Sequence, residues 1–200
     1  MKIALYFGSF NPIHTGHLII ASYINNNADV DQTWFVISPQ NPHKPQKSLL
    51  NEYQRKHLVD LAIEGEVKFR ASTIEFNLPR PSFTIDTLSY LNEKYPSYEF
   101  CIIMGSDSYQ NIKNWKNYEL LISKYKILVY QRPQFQIEQT LSPNTQILNA
   151  PLLDISSTVI RKMIKEKKSI RYLVPDVVKN EIQANSYYRK LEDPAEEQTK

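Results

Sequence analysis

Short runs of apolar residues alternate along this chain with segments in which apolar positions recur every three to four residues. The apolar runs are rich in strand-forming residues and lie at positions 3–7, 33–37, 100–104, 126–130 and 147–148, and the mixed segment Val-Lys-Phe-Arg at 67–70 is expected to be a further strand. Runs of this kind are typical of strands that are buried on both sides of a parallel sheet. Their alternation with helices predicts an α/β fold with a doubly wound parallel sheet and a small helical part at the carboxyl-terminal end.

Helix signals separate the strands. A capping-box pattern at Asn51 predicts one helix, and Ser82 or Thr84 is the expected N-cap of another. Between these two helices, residues 73–76 either extend the third strand or turn back from it. Further helices are expected after Gly16, Ser156 and Pro175.

Length and composition fit one domain. The 200 residues, 42% hydrophobic and 22% charged, suit a single α/β unit, which we place at 1–188, and residues 189–200 are predicted to form a flexible tail. No apolar run approaches the ~18 residues of a membrane span, no signal peptide precedes the first strand, and a single cysteine fits a reducing compartment. We therefore expect a cytoplasmic protein without a membrane partner. The net charge of +3 is small, and the only concentrated basic run, at 161–168, is interpreted as phosphate affinity plus a solvated helix face, so we expect no nucleic-acid partner.

The loop between the first strand and the first helix carries the most informative chemistry. Gly8 and Gly16 are two of the four glycines, and His14 and His17 are two of the four histidines. A strand that feeds a helix through such a loop turns main-chain N–H groups and the positive end of the helix dipole outward, which favours phosphate. From the residues alone, a metal site or a plain turn with histidine caps stays open, although zinc needs three or four ligands and the one cysteine lies in another strand.

Residues 8–17 read Gly-Ser-Phe-Asn-Pro-Ile-His-Thr-Gly-His, and this run resembles the G-x-F-x-P-x-H-x-G-H signature of the nucleotidylyltransferase superfamily. Its members transfer a nucleoside monophosphate from ATP or CTP to a phosphate group and release pyrophosphate. Many relatives carry Gly where Ser9 stands and Asp where Asn11 stands. These two differences affect the expected details of the turn and not the class of protein. The resemblance implies that ATP is bound by Gly8, Ser9, Phe10, His14, Gly16 and His17.

Residues 155–161 resemble a second superfamily motif, the I-S-S-T-x-I-R helix start. Hydroxyl groups there can cap the helix or bind phosphate oxygens, and capping alone would explain them. Capping does not require an arginine one turn later, and an arginine there can reach a triphosphate. The resemblance implies ATP contacts from Ser156, Ser157, Thr158 and Arg161.

Three further segments resemble the branch of the superfamily that adenylylates nicotinate mononucleotide. They are the Pro-His-Lys loop at 39–44, the S-F-T-I-D-T-L run at 82–88, and a G-x-D followed by a tryptophan after the fourth strand. Taken alone, the first is an ordinary connection, the second a helix cap, and the tryptophan as often a packing residue. The resemblance to this branch implies substrate contacts from Asn41, Thr84, Thr87, Gly105, Asp107 and Trp115. Arg132, at the end of the fifth strand, is a further expected substrate contact.

The resemblance implies an enzyme that transfers the adenylyl group of ATP to nicotinate mononucleotide, with Mg²⁺ accompanying ATP and no metal site on the protein. The catalytic residues that it implies are His14, His17, Lys44 and Arg161. One alternative is another adenylyltransferase of the superfamily, with nicotinamide mononucleotide or phosphopantetheine as acceptor; for phosphopantetheine no stacking tryptophan is expected. A second alternative is a non-catalytic nucleotide sensor, which we would expect to lack a histidine or the arginine. No residue pattern points to a particular oligomeric state.

Overall fold

Six parallel strands form one sheet in the computed structural model, which describes residues 1–39, 49–132, 134–151 and 153–189. The strands are β1 (Lys2–Gly8), β2 (Gln32–Ile37), β3 (Phe69–Ser72), β4 (Glu99–Gly105), β5 (Lys126–Tyr130) and β6 (Thr145–Leu148). Their spatial order is β3-β2-β1-β4-β5-β6, and each neighbouring pair runs parallel. The predicted doubly wound parallel sheet is confirmed. The predicted tail falls almost wholly on residues 190–200, outside the described residues.

Helices connect the strands and follow the sheet. They are α1 (Thr15–Asn27), α2 (Glu52–Ile63), α3 (Thr84–Lys94), α4 (Ser106–Gln110), α5 (Tyr118–Lys124), α6 (Ser157–Lys165) and α7 (Asp176–Ala184), with 3-10 helices over Ile74–Asn77 and Ile112–Asn114. Among the residues that the structure describes, no helix is long and apolar enough to cross a membrane.

Two hydrophobic cores lie on opposite faces of the sheet, because successive strand residues point to opposite sides. In β1, Ala4 and Tyr6 belong to a core that also contains buried residues of α1, α2, α6 and α7. Ile3 and Leu5 of the same strand belong to the other core, which contains buried residues of α3 and α5. The helical carboxyl-terminal part is therefore packed on the same face as α1.

The region between α2 and α3 differs from the sequence expectation. The third strand begins at Phe69, where pairing with Thr33 of β2 starts, and the expected start at Val67 is 84% exposed. After the strand, Ile74–Asn77 form a 3-10 helix. Of the two alternatives for residues 73–76, the chain therefore turns and does not extend the third strand. The N-cap of α3 is Phe83, and neither Ser82 nor Thr84 caps it. The Ser82 hydroxyl instead donates to the buried carboxylate of Glu75 at 2.8 Å.

The strand order reverses between β1 and β4. The chain runs from β1 outward through β2 to β3, and then returns to β4 on the other side of β1 before it continues to β5 and β6. Loops that leave the carboxyl ends of these two neighbouring strands run to opposite faces, which opens a crevice between them. A ligand site is expected at this edge of the sheet.

Candidate active site

A cavity of about 200 Å³ lies at the carboxyl ends of β1 and β4. Its wall contains Gly8 at the end of β1, Gly105 at the end of β4, Thr84 at the start of α3, and Trp115. The structure thus brings together four of the residues predicted to form the site. Four further wall residues, which sequence reasoning did not single out, are Tyr6, Glu75, Lys116 and Tyr130.

The loop from Gly8 to His17, which we call the phosphate loop, is held from one side by Arg55 of α2. Its guanidinium Nη1 donates to the carbonyl of Ser9 at 2.5 Å and to that of Ser38 at 2.9 Å. Nη2 donates to the Pro39 carbonyl at 3.2 Å, and Nε to the Leu50 carbonyl at 2.8 Å. Arg55 therefore links the chain after β1 to the chain after β2.

The other side of the phosphate loop is held by α6. Arg161 Nη1 donates to the carbonyl of Asn11 at 2.9 Å, and the Ser157 hydroxyl donates to the carbonyl of Pro12 at 2.9 Å. The Asn11 side chain in turn accepts from the main-chain N–H of Leu50 at 3.2 Å. Two of the predicted ATP-binding residues, Ser157 and Arg161, thus contact the loop itself.

Ser156 is the N-cap of α6, since its hydroxyl accepts from the N–H of Val159 at 3.3 Å. The hydroxyl of Thr158 accepts from Arg161 Nη2 at 3.3 Å. Of the α6 hydroxyls, that of Ser156 therefore caps the helix, and that of Thr158 orients the arginine.

His14 and His17 stack at the start of α1, with ring centroids 3.6 Å apart. The main-chain N–H of His14 donates to His17 Nδ1 at 3.3 Å, so the neutral His17 ring carries its proton on Nε2. Burial, together with the positive charge of Arg132, lowers the pKa of the His14 imidazole to about 4. His14 is therefore neutral at pH 7.

Gly16 leaves room for this arrangement. A Cβ atom at Gly16 would lie 3.1 Å from Nδ1 of His14, closer than ordinary van der Waals contact. Within the described residues, Nδ1 of His14 is buried and makes no hydrogen bond. The glycine lets the His14 ring pack against the first turn of α1 beside His17.

The ring of Phe10 packs against one of the two histidines. Its ring is buried and makes edge-on contacts with His17, at a centroid distance of 5.1 Å, and with Tyr6 and Phe35. Its φ of +45° lies in the left-handed region that residues other than glycine seldom adopt. A Cβ at Gly8 would lie 2.9 Å from the Phe10 ring. The predicted ATP contact of Phe10 can thus come only from its main chain.

At the ends of β4 and β5, Asp107 and Arg132 form an ion pair, with Oδ1 and Nε 3.4 Å apart. Arg132 Nη2 also donates to the Tyr130 hydroxyl at 3.2 Å. A Cβ at Gly105 would lie 2.3 Å from Asp107 Oδ1, so glycine at this position leaves room for the carboxylate as it is placed here. Asp107 and Arg132, both predicted substrate contacts, are thus partners of each other.

Thr87 requires a correction. Its side chain is fully buried, and its hydroxyl donates to Glu75 at 2.9 Å rather than facing the cavity. Glu75 gathers the hydroxyls of Ser82 and Thr87, and burial raises the pKa of its carboxyl group. The structure places Thr87 behind Glu75, whereas Thr84 lies on the cavity wall.

Lys116 follows Trp115 on the cavity wall and was missed by sequence reasoning. Its ammonium group forms an ion pair with Asp86 at 2.8 Å and lies 4.9 Å from the ring centroid of Phe83. No sequence motif marks this lysine, although its position next to Trp115 could have done so. It adds a cation to the end of the cavity at which α3 begins.

Two predicted residues, Asn41 and Lys44, lie outside the described residues. Among the residues that the structure does describe, no group of three or more His, Cys, Asp or Glu side chains could hold a metal ion. Asp107, which follows the carboxyl end of β4, is paired with Arg132.

Comparisons with known proteins place this geometry in a family. Residues 5–163 match the cytidylyltransferase-like family model. A protein of Cytophaga hutchinsonii that bears the name "Probable nicotinate-nucleotide adenylyltransferase" is 48% identical over 192 residues, which cover 94% of this chain and 98% of the relative. A Flavobacterium psychrophilum protein of the same name is 48% identical over 193 residues, covering 95% of this chain and 100% of the relative.

Among solved structures, the Plasmodium falciparum nicotinic acid mononucleotide adenylyltransferase, complexed with NaAD, matches with a TM-score of 0.80. The match covers 94% of this chain and 97% of that one at 24% identity, and it shows a shared fold. The match to the family model and the relatives at 48% identity establish that this chain belongs to the cytidylyltransferase-like family and, within it, to the nicotinate-nucleotide adenylyltransferases.

Proposed function

We propose that this protein transfers the adenylyl group of ATP to nicotinate mononucleotide, giving nicotinate adenine dinucleotide and pyrophosphate in NAD biosynthesis. The observation that carries the proposal is that a histidine pair and a cavity lie at the same edge of the sheet. The stacked pair His14 and His17 lies at the start of α1, and a cavity with Trp115 on its wall opens between β1 and β4. The names of the relatives at 48% identity support this pairing of substrates.

In the proposed reaction, a phosphate oxygen of the mononucleotide attacks the α-phosphorus of ATP, and the bond to the bridging oxygen of pyrophosphate breaks. No covalent enzyme intermediate is needed, so the protein contributes alignment and stabilisation of phosphate charge. His17 carries a proton on Nε2, since its Nδ1 accepts from the main chain, and donates it in a hydrogen bond to a phosphate oxygen. His14, neutral and beside it, is the second proposed donor.

Positive charge at the phosphates comes from Arg161 and Lys44 in this proposal. Arg161 donates a hydrogen bond to the carbonyl of Asn11, which places its positive charge beside the phosphate loop. Lys44 keeps its predicted role as a phosphate contact. Mg²⁺ is proposed to accompany ATP and supplies charge neutralisation there. The described residues offer no cluster of His, Cys, Asp or Glu side chains that could bind it.

At the other end, we propose that the pyridine ring of the acceptor lies against Trp115 in the cavity. Its carboxylate faces the first turn of α3, which no side chain caps, and Lys116 adds a cation nearby. The main-chain N–H groups of a helix start favour an anion. A tryptophan on the cavity wall favours a pyridine acceptor over phosphopantetheine. We also propose a cytoplasmic location, where both substrates would be available.

The test is pyrophosphate release from ATP and Mg²⁺ with a panel of phosphate acceptors. Nicotinate mononucleotide should support rapid release, nicotinamide mononucleotide slower release, and phosphopantetheine none above background. Release with phosphopantetheine alone would move the protein to another acceptor class. No release with any acceptor, in protein that binds ATP, would favour the nucleotide-sensor alternative.

A further inference from the structure

Arg55 is an arginine in an unusual position. Its side chain is fully buried in α2, and every hydrogen-bond acceptor that the described residues supply to it is a main-chain carbonyl. Burial lowers the pKa of its guanidinium to about 10, which leaves the group charged at neutral pH. A buried charge is costly unless it is well hydrogen-bonded, so the four carbonyls have to stay in place around it.

One of these carbonyls belongs to the phosphate loop. The Ser9 carbonyl points to Arg55 Nη1 at 2.5 Å. In a trans peptide the carbonyl and the following N–H point in opposite directions, and the bond between Ser9 and Phe10 is trans. Fixing the Ser9 carbonyl on Arg55 therefore turns the N–H of Phe10 away from the guanidinium.

The same residue is fixed from its other side. Arg161 donates to the carbonyl of Asn11, so two buried arginines bracket Phe10. Phe10 has the left-handed φ of +45°, which persists only where the surrounding structure determines it. Its ring in turn contacts His17. A shift of Ser9 would thus reach both a main-chain N–H of the phosphate loop and the proposed catalytic histidine.

We propose that Arg55 is a positioning residue for the adenylyl transfer. It never touches a substrate, and it acts by holding the Ser9 carbonyl inward, so that the Phe10 N–H and His17 face the reacting phosphate. Lysine would keep the charge at this position but lacks the planar fork that reaches four carbonyls. This inference rests on the proposed function.

Three variants test it: Arg55→Lys, Arg55→Met and the control Leu58→Ala. Leu58 lies one turn further along α2 and is equally buried in the hydrophobic core, but its apolar side chain cannot donate a hydrogen bond to the loop carbonyls. Since each misplaced charge-stabilising donor typically lowers kcat by about 10²-fold, we expect that loss for Arg55→Met and about tenfold for Arg55→Lys. The KM for nicotinate mononucleotide should change by less than about threefold, because Trp115 and α3 are untouched. Leu58→Ala should lower Tm and leave kcat within about twofold.

The measurements are kcat and KM from pyrophosphate release, with Tm of each variant from circular dichroism. If Arg55→Met does not fold, Arg55→Lys against Leu58→Ala decides the question. A kcat for Arg55→Lys within twofold of the parent would overturn the inference. It would also be overturned if Leu58→Ala, at the same loss of Tm, lost as much kcat as Arg55→Lys. A parent protein without pyrophosphate release would instead refute the proposed function and not this inference.

Discussion

The two ends of the candidate site are held by different kinds of contact. At the phosphate end, side chains of Arg55, Ser157 and Arg161 donate to main-chain carbonyls of the loop. At the acceptor end, side chains contact side chains: Lys116 pairs with Asp86, and the hydroxyls of Ser82 and Thr87 donate to Glu75.

The difference has a physical consequence for each end. A loop whose carbonyls are fixed presents the same N–H groups to any nucleotide, which suits a triphosphate common to many reactions. A cavity whose wall is made of side chains can change its preferred acceptor by substitution. We therefore expect substitutions at the phosphate end to lower kcat and substitutions at the acceptor end to change KM and specificity.

The largest effect is expected for His17→Ala. Loss of one charge-stabilising donor should lower kcat by about 10²- to 10³-fold, which corresponds to roughly 3–4 kcal/mol. His57 is the matched control, since it is a half-exposed histidine on α2 whose contact is with Glu181, away from the site. We expect His57→Ala to keep kcat within about twofold. A kcat for His17→Ala within threefold of the parent, at saturating ATP, would break the assignment of the phosphate end.

The buried His14 predicts a pH dependence of stability. Its pKa is lowered to about 4, whereas a histidine in the unfolded chain titrates near 6.5. Between these values the unfolded chain binds a proton that the folded protein does not. The free energy of unfolding should therefore fall as pH drops from 6.5 towards 4, by up to about 3 kcal/mol, and this contribution should be fully present above pH 6.5.

Urea unfolding of the parent and of His14→Gln at pH 7 and pH 4.5 checks this dependence. Other titrating groups contribute to both proteins, so they cancel in the difference. The parent should lose about 2–3 kcal/mol more than the variant on acidification. Equal losses would show that His14 titrates normally and is not buried as described.

At the acceptor end, Trp115→Ala should raise the KM for nicotinate mononucleotide about tenfold and leave the KM for ATP within about twofold. The reason is that, of the two substrates, only the acceptor is proposed to lie against this ring. Trp115 also packs against the hydrophobic core, so stability will fall as well. Trp115→Phe keeps a ring at this position and should restore most of the affinity. Equal losses for both substrates in Trp115→Ala would remove the distinction between the two ends.

The smallest effect is expected for Lys116→Met. Lys116 is half-exposed and already paired with Asp86, so its contribution to binding a carboxylate should be about 1 kcal/mol or less. The preference for the acid over the amide mononucleotide should fall about threefold, with kcat unchanged. Lys113→Met, an exposed lysine on the preceding 3-10 helix, is the control and should leave the preference unaltered.

These two ends also differ in how far the sequence predicts them. The phosphate loop and the start of α6 are continuous motifs, so their residue spacing already indicates which groups meet. The doubly wound parallel sheet followed from the alternation of apolar runs with helices. In contrast, Arg55, which donates to the carbonyl of Ser9, lies 46 residues later on α2. Glu75 accepts from the hydroxyl of Thr87, twelve residues later. Both contacts depend on tertiary packing.

The errors have the same origin. An apolar Val67 suggested an early start of the third strand, but pairing with β2 sets the start at Phe69. Ser82 and Thr84 are good N-cap residues by type, yet the N-cap is Phe83, because a buried carboxylate that no local pattern reveals engages Ser82. Thr87 was expected at the cavity from the resemblance of residues 82–88 to the family, and its hydroxyl donates to the same buried carboxylate instead.

The most direct test of the account is a competition between nicotinate and nicotinamide mononucleotides. Equal concentrations of both are supplied with ATP and Mg²⁺, and the two dinucleotide products are quantified at low conversion, which gives the ratio of kcat/KM. A carboxylate at the start of α3 gains a charge-assisted hydrogen bond, whereas a carboxamide turns a donor towards donors, so the acid product should exceed the amide product at least ~10-fold. Equal products, or more of the amide product, would contradict the acceptor site described here.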